Sequence, residues 1–483
     1  MPGLTWDPEE RAWRTPAAAH AAVRVRLTDA AVRISDEIRP AMIAGGWCLP
    51  ALRWYQDEAL ARWERADGRG VIALPTGAGK TLTAIAAIAR RGVAALVLVP
   101  TRVLLDQWAR AIAAAWPHPV GRLGDGDHAV APITIATYAS AVTWAPRIGD
   151  RFGLVIVDEA HHVGGWCPAE VLEMLPAACR LGLTATPPDD RAALAAHVGP
   201  VVYARRIDEL VGDGLAAYEL HTLPIALTAD ERVRYREQRT RFSGPYAAFQ
   251  RTSPGADWRA FVTAARRTPA GRAALAGWRG SRAVLAYAEG KRAVLRDLLA
   301  RHAGERTLVF TQDNASAYAI ARELLVMPIT HEISRGERAR ALRRFAAGEI
   351  DVLVSAQVLD EGLDVPDAEI AIIVGGSSSG RRHVQRIGRV LRPRPGKRAR
   401  VYELAIDDSA EIAAVMRRRE GLTGAPGTSA TDPPGTTHAP ASTPPPVTPL
   451  AVHRRRAGAL LPATTQTVLP YDGVGSRARG GLS

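Results

Sequence analysis

Pro75-Thr76-Gly77-Ala78-Gly79-Lys80-Thr81 follows the apolar run Val71-Ile72-Ala73-Leu74 and leads into a helical pattern over 82–90. A buried strand, a glycine-rich turn and a helix in that order cradle nucleotide phosphates, because glycine lets backbone N–H groups approach the phosphate oxygens. Pro75, Thr76, Gly77, Ala78 and Gly79 line such a turn, Lys80 reaches the β and γ oxygens, and the Thr81 hydroxyl ligates Mg²⁺. Composition sharpens the reading. Of 62 basic residues only three are lysine, at positions 80, 291 and 397. A lysine at 80, in a chain so biased to arginine, points to a need for a slim ammonium on a flexible stem. Leu74 stands where the strict textual motif has its first glycine.

The chain's 483 residues leave room for two or three domains with separate cores. Its net charge of +13 favours a polyanionic partner, nucleic acid ahead of an anionic membrane surface. Cys48, Cys167 and Cys179 suggest neither a disulfide framework nor a zinc site. His161, His162 and Cys167 lack a fourth ligand at suitable spacing. A reducing compartment follows. No stretch approaches the ~20 apolar residues of a membrane span. Asp7, Glu9, Glu10 and Arg11 stand where a signal peptide needs apolar residues, so a cytoplasmic location is expected.

Short apolar runs alternate with helical patterns along much of the chain. In 51–204 the runs are 71–74, 95–100, 133–138, 154–158 and 181–186; in 301–421 they are 307–311, 352–355, 370–374 and 401–404. That alternation predicts two α/β units with mostly parallel sheets and a cleft between them. Residues 1–50 read as an accessory segment. Residues 205–300 read as a helical region without strands, rich in arginine with interspersed aromatics. Residues 422–483 are dominated by Gly, Pro, Ser, Thr and Ala and read as a disordered tail, unable to bury a core of their own.

The run 154–157 ends in Asp158-Glu159-Ala160-His161. A carboxylate at a strand's C-terminal end beside the cradle can hold Mg²⁺, here Asp158. Glu159 is placed to orient and deprotonate the attacking water. These residues belong to an ordered series: Arg53…Gln56, PTGAGKT at 75–81, VPTRVLLDQW at 99–108, TIATY at 134–138 and VDEAHH at 157–162. It continues with GLTATP at 182–187, LVFT at 308–311, VLDEGLDVP at 358–366 and QRIGRVLRP at 385–393.

In this order the motifs resemble those of superfamily 2 DEAD/DEAH-box helicases and translocases, over about 52–420. The likeness is strongest to XPB-like DNA repair helicases of bacterial and archaeal type, through VLDEGLDVPDAE at 358–369 and YELAIDDSAEIAAVMRRRE at 402–420. Two departures from larger relatives stand out, a short N-terminal segment and no evident Arg-Glu-Asp motif. The resemblance implies two RecA-like parallel-sheet domains in tandem, with a thumb-like helical insertion at 205–300. It implies an ATP-dependent, Mg²⁺-requiring DNA helicase or translocase of 3′-to-5′ polarity serving repair, associated with the nucleoid. A duplex translocase, remodeller or phage-defence motor that does not separate strands is the alternative, and an RNA helicase comes third.

Residue by residue, the resemblance places Arg53 and Gln56 at adenine and Asp364 at the ribose or the interdomain face. Gln385, Arg389 and Arg392 share a helix face at spacings of four and three. By the resemblance they cross the cleft, the two arginines as fingers on the γ-phosphate. Thr101, Arg102, Thr137, Thr311 and Ser355 would touch the nucleic-acid strand. His161, Thr184 and Thr186 would couple nucleotide state to closure. Within 205–300, arginines such as Arg239 and Arg241 would meet phosphates while Phe242, Tyr246 and Trp258 stack on bases; the other reading is a helical connector whose aromatics form a small core.

Overall fold

The computed structural model describes residues 4–43, 45–188, 190–356, 367–375, 386–388, 390–391, 397–409, 411–412, 414–415 and 464–468. Asp364, Gln385, Arg389 and Arg392 lie outside the described residues, as does the tail apart from 464–468.

After a short hairpin of β1 (Thr5–Asp7) and β2 (Ala12–Arg14), the first α/β unit carries eight strands. They are β3 (Arg69–Ala73), β4 (Ala95–Val99), β5 (Gly121–Gly124), β6 (Asp127–Ala129), β7 (Ile133–Thr137), β8 (Leu154–Val157), β9 (Cys179–Thr184) and β10 (Val201–Ala204). Their order is β10-β3-β9-β8-β4-β7-β5-β6, antiparallel only at β5–β6. The central strands are continuous apolar runs because helices cover both faces; all of Ala95–Val99 is buried. Ligands of such sheets sit beyond the carboxyl ends of the strands. The order sets β3, β9 and β8 side by side, with Ala73 opposite Thr184 and Val157 opposite Gly182. The cradle, Thr184 and Asp158 therefore converge, though they lie far apart in the chain.

The second sheet holds β11 (Ala217–Ile225), β12 (Thr307–Phe310), β13 (Met327–Ile329), β14 (Val352–Ser355), β15 (Ile370–Ile373), β16 (Arg398–Ile406) and β17 (Thr464–Val468). Its order is β13-β14-β12-β15-β16-β11-β17, parallel throughout. Three structural findings refine the sequence reading. First, 205–300 is not free of strands: β11 runs the full length of β16, from Ala217 opposite Arg398 to Ile225 opposite Ile406. Glu219 and His221 interleave with the buried Tyr218 and Leu220, so no continuous apolar run marks it, and Pro224 argues further against a strand. Second, residues 464–468 of the tail line the outer edge of β11, ending at Thr222 opposite Val468, two positions before Pro224. A segment without a core of its own here gains backbone hydrogen bonds from an existing sheet edge.

The third finding concerns the aromatics of the insertion, for which the sequence leaves a base-stacking role and a small core open. Helices Ala229–Thr252, Trp258–Arg266 and Pro269–Ala286 form an appendage between β11 and β12. Phe242 and Phe261 are buried with Ala265, Ala274 and Leu275, and Tyr246, Phe249, Trp258 and Trp278 pack around them. Phe242 stacks on Tyr246 at 5.1 Å and Tyr246 meets Phe261 edge-on at 4.9 Å. Three helices set beside the sheet need a core, and these rings, turned towards one another, are it. Arg239 and Arg241 are exposed, whereas Arg282 is half-buried over the Trp278 ring.

The largest apolar cluster includes Ile72 and Ile156 of the first sheet and Phe310, Ala371 and Ile387 of the second unit. The backbone N–H of Ala216 donates to Leu391 O at 2.9 Å.

Candidate active site

The cradle leaves β3 at Leu74, which is fully buried, so the residue that departs from the textual motif serves the core. Leu74 N–H donates to Thr184 O at 3.0 Å, tying the loop to β9. Gly79 sits at φ +80° and starts the helix Lys80–Arg91; a side chain there would be strained, and its Cβ would lie 2.4 Å from Gln56 Nε2. Lys80 Nζ donates to Leu74 O at 3.0 Å and to Pro75 O at 3.4 Å, which holds the ammonium over the loop's own backbone.

A second layer braces the loop from outside. Gln56 Nε2 donates to Ala78 O at 3.1 Å, and the Tyr55 hydroxyl donates to the same oxygen at 3.0 Å. Arg53 Nη1 donates to the Tyr55 oxygen at 3.0 Å and to Gly214 O at 2.9 Å. Gln56 is 2% exposed, so its amide is occupied with cradle backbone, and Arg53 links the loop to the stretch that enters β11.

Asp158 follows β8 and is 6% exposed. Trp108 Nε1 donates to its Oδ2 at 2.8 Å, and Glu159 N–H donates to its Oδ1 at 2.9 Å. Burial pushes the Asp158 carboxyl above its ordinary range, opposed by the Trp108 hydrogen bond and the Lys80 charge. Glu159 adopts a left-handed backbone, φ +48° and ψ +49°, a strain of about 1–3 kcal/mol that active sites sustain when their surroundings enforce it. The Tyr138 hydroxyl enforces it here, donating to Asp158 O and, at 3.4 Å, to Glu159 O. Burial, and then neighbouring negative charge, raise the Tyr138 pKa well above its ordinary value, so it stays a neutral donor.

From Glu159 a polar chain runs to the loop after β9. His161 Nδ1 lies 3.3 Å from Glu159 Oε2 and 3.2 Å from Thr184 Oγ1. Thr184 Oγ1 donates to Thr186 O at 2.9 Å and accepts from Thr186 N–H at 3.2 Å. The three expected coupling residues are thus contiguous with the expected base. Cys167, whose thiol burial pushes up to about 12, is inert packing. Across the cleft Gly388 lies against the cradle, where a Cβ would sit 2.7 Å from Thr76 Cβ and Thr76 O.

The five residues expected on a nucleic-acid strand separate into two groups. Thr101 and Thr137 cap the helices Arg102–Ala115 and Tyr138–Ile148, accepting from Leu104 N–H at 3.3 Å and Ser140 N–H at 3.2 Å. Arg102 is exposed and pairs with Asp125 at 2.6 Å. Thr311 and Ser355 have no exposed surface, and Thr311 Oγ1 donates to Asp313 O at 2.9 Å. Both side chains are buried in this structure, and the Thr311 hydroxyl is engaged within its own turn.

The donor set suits a magnesium nucleotide: a glycine turn, an ammonium, the Thr81 hydroxyl and the Asp158 carboxylate, whose burial makes its charge unfavourable until a cation neutralises it. Among the described residues no group of three or more His, Cys, Asp or Glu could hold a metal ion. Mg²⁺ is commonly held by one or two protein groups with phosphate oxygens and water, which fits. Sequence reasoning missed Trp108, Tyr138 and Tyr55, although each lies within or beside a motif it had singled out. What they do depends on which strands are neighbours, and spacing does not report that.

Residues 49–189 match the family model described as "Type III restriction enzyme, res subunit", and 290–394 match "Helicase conserved C-terminal domain". The chain is 33% identical over 434 residues to the DNA 3′-5′ translocase XPB2 of Sulfurisphaera tokodaii, covering 87% of this chain and 96% of that protein. It is 29% identical over 397 residues to the DNA 3′-5′ helicase XPB of Mycobacterium tuberculosis, covering 77% of this chain and 64% of that protein. Against the Rad25 helicase of Halobacterium salinarum the chain spans about half the relative's length, 54%. Among solved structures, Saccharomyces cerevisiae Dbp5 bound to RNA and ADP BeF3 superposes with a TM-score of 0.54 at 16% identity, over 77% of this chain and 87% of that one. That likeness is one of fold.

Proposed function

The chain belongs to the XPB-type family of superfamily 2 DNA helicases and translocases, and from that premise we propose that it hydrolyses ATP with Mg²⁺ to move along DNA in the 3′-to-5′ direction, in the service of repair. The observation that carries this reading is the close approach of Gly388 to Thr76, which brings groups of the second unit onto the phosphate cradle of the first. A site shared by two units couples chemistry to their relative position.

In this reading backbone N–H groups of 76–80 and the Lys80 ammonium hold the phosphates. Thr81 and Asp158 hold Mg²⁺, which neutralises phosphate charge. Glu159, fixed in its left-handed conformation by Tyr138, orients and deprotonates the attacking water. Arg389 and Arg392 stabilise the charge that develops, and Asp364 and Gln385 complete the second unit's contribution. His161, Thr184 and Thr186 report the state of Glu159 to the cleft. Thr101, Arg102 and Thr137, at the starts of two helices on the first sheet, and Thr311 and Ser355, at strand ends of the second, are the strand contacts of this reading, Arg102 being the exposed one among them; contacts to phosphate make binding nearly independent of sequence.

The relative matched over 96% of its own length is named a translocase, which favours movement along DNA with strand separation as a separate capacity. The test is steady-state ATP hydrolysis without nucleic acid, with single-stranded DNA, with duplex DNA and with RNA, using Glu159→Gln as the blank. Hydrolysis stimulated by DNA and lost in the variant is expected. Single-strand stimulation marks a strand-tracking helicase and duplex-only stimulation a translocase. Stimulation by RNA alone, or none under any condition, contradicts the proposal.

A further inference from the structure

Arg386 is 4% exposed, and its guanidinium lies where three parallel strands of the second sheet end. Nη2 donates to Ala356 O beyond β14 at 2.7 Å and to Thr311 O beyond β12 at 3.3 Å, while Nη1 donates to Gly375 O beyond β15 at 3.1 Å. Its Cζ sits 5.2 Å from the centroid of the Phe310 ring, a cation–π contact from β12 itself. The carbonyl just before Gly375 is held from elsewhere: fully buried Lys291 donates from Nζ to Val374 O at 2.7 Å and pairs with Glu411 at 2.8 Å. Two cations therefore seize consecutive carbonyls at the end of β15. Two residues after Arg386 comes Gly388, which abuts Thr76 of the cradle.

We propose that Arg386 is a positioning residue for ATP hydrolysis. It ties three strand ends to the helical residues 386–388, and so sets where Gly388 meets the phosphate cradle. The planar fork of a guanidinium serves three carbonyls in fixed directions; a single ammonium on a flexible stem does not. A tie at one end of a rigid element governs geometry at the other, and misplacement by about 1 Å lowers turnover by about 100-fold. The inference rests on the reading of the chain as an ATPase, and the experiment separates the two.

The test compares wild type with Arg386→Lys, Arg386→Ala and Gly388→Ala, following DNA-stimulated turnover, the KM for ATP and the melting temperature. Gly388→Ala wedges the same contact from the other side and leaves the strand ends tied, so it stands in should Arg386→Ala not fold. Positioning predicts that both arginine variants lose turnover by about 100-fold while KM moves less than about threefold. Gly388→Ala should show the same split, and guanidinium ion at non-denaturing concentration should partly restore Arg386→Ala where methylammonium does not. Full turnover in Arg386→Lys would overturn the inference. So would turnover and nucleotide affinity falling together in step with the melting temperature, which marks a merely structural arginine. A wild-type protein that hydrolyses no ATP refutes the proposed function instead.

Discussion

Asp158 is asked to be charged where the surroundings disfavour charge. Burial raises its carboxyl pKa, and the Trp108 indole N–H and the Lys80 charge offset only part of that. In the free protein the carboxylate is therefore a source of instability at neutral pH. The two ends of the Trp108–Asp158 hydrogen bond should respond in opposite ways. Asp158→Asn keeps an oxygen for Trp108, gives up the bond from the Glu159 N–H and removes the buried charge; the charge is the larger effect, so the melting temperature of the nucleotide-free protein should rise while ATPase activity disappears. Trp108→Phe leaves the buried carboxylate short of a donor and should destabilise the protein by about 1–3 kcal/mol. Parallel thermal melts check both; a fall in the melting temperature of Asp158→Asn would show that the site is not under this tension. Sequence made Asp158 and Glu159 legible because acids at the end of an apolar strand beside a glycine turn have few other uses. Trp108 was hidden because it reaches Asp158 only once β4 and β8 are known to pair.

Among the elements, the three-helix appendage separates composition from role. Its aromatics form the core and arginines such as Arg239 and Arg241 the surface, so the two kinds of substitution should have different consequences. Phe242→Ala should unfold or loosen the appendage, at about 3–5 kcal/mol, with near-UV circular dichroism reporting the lost ring packing. Arg239→Gln with Arg241→Gln should leave the fold intact and reduce the slope of log affinity for DNA against log salt by about 1–2, as expected for two lost phosphate contacts. Unchanged salt slopes would remove these arginines from the DNA interface. The element reading also marks what pattern can reveal. The runs 71–74, 95–100 and 154–158 announced their strands because strands buried on both faces are unbroken in apolarity. β11 alternates, carries Pro224 and precedes a long helix, so nothing local distinguishes it; its pairing with β16 is a long-range fact. β17 is subtler still, since Thr464–Val468 becomes a strand only because the edge of β11 is there to receive it.

Over the whole molecule, two mostly parallel sheets belong to units that touch at several places, the phosphate cradle among them, and a net charge of +13 provides a surface that polyanions approach readily. Motif order carried the family and the fold of both units, because the motifs at 75–81, 99–108, 134–138, 157–162, 182–187 and 308–311 lie on or beside strand ends. It did not carry the joins between units: Arg53 on Gly214, Ala216 on Leu391 and Gly388 on Thr76 are contacts of the folded chain. In the proposed function those joins couple hydrolysis to a change of shape, and a change of shape on DNA is movement. The direct measurement is ATP-driven displacement of streptavidin from a biotin placed at either the 5′ or the 3′ end of a DNA strand, with Glu159→Gln as the blank. Displacement from the 5′ end, absent from the 3′ end and absent in the variant, is the result expected of a 3′-to-5′ motor. ATP hydrolysis stimulated by DNA with no displacement from either end would contradict the claim that this chain converts hydrolysis into directed movement.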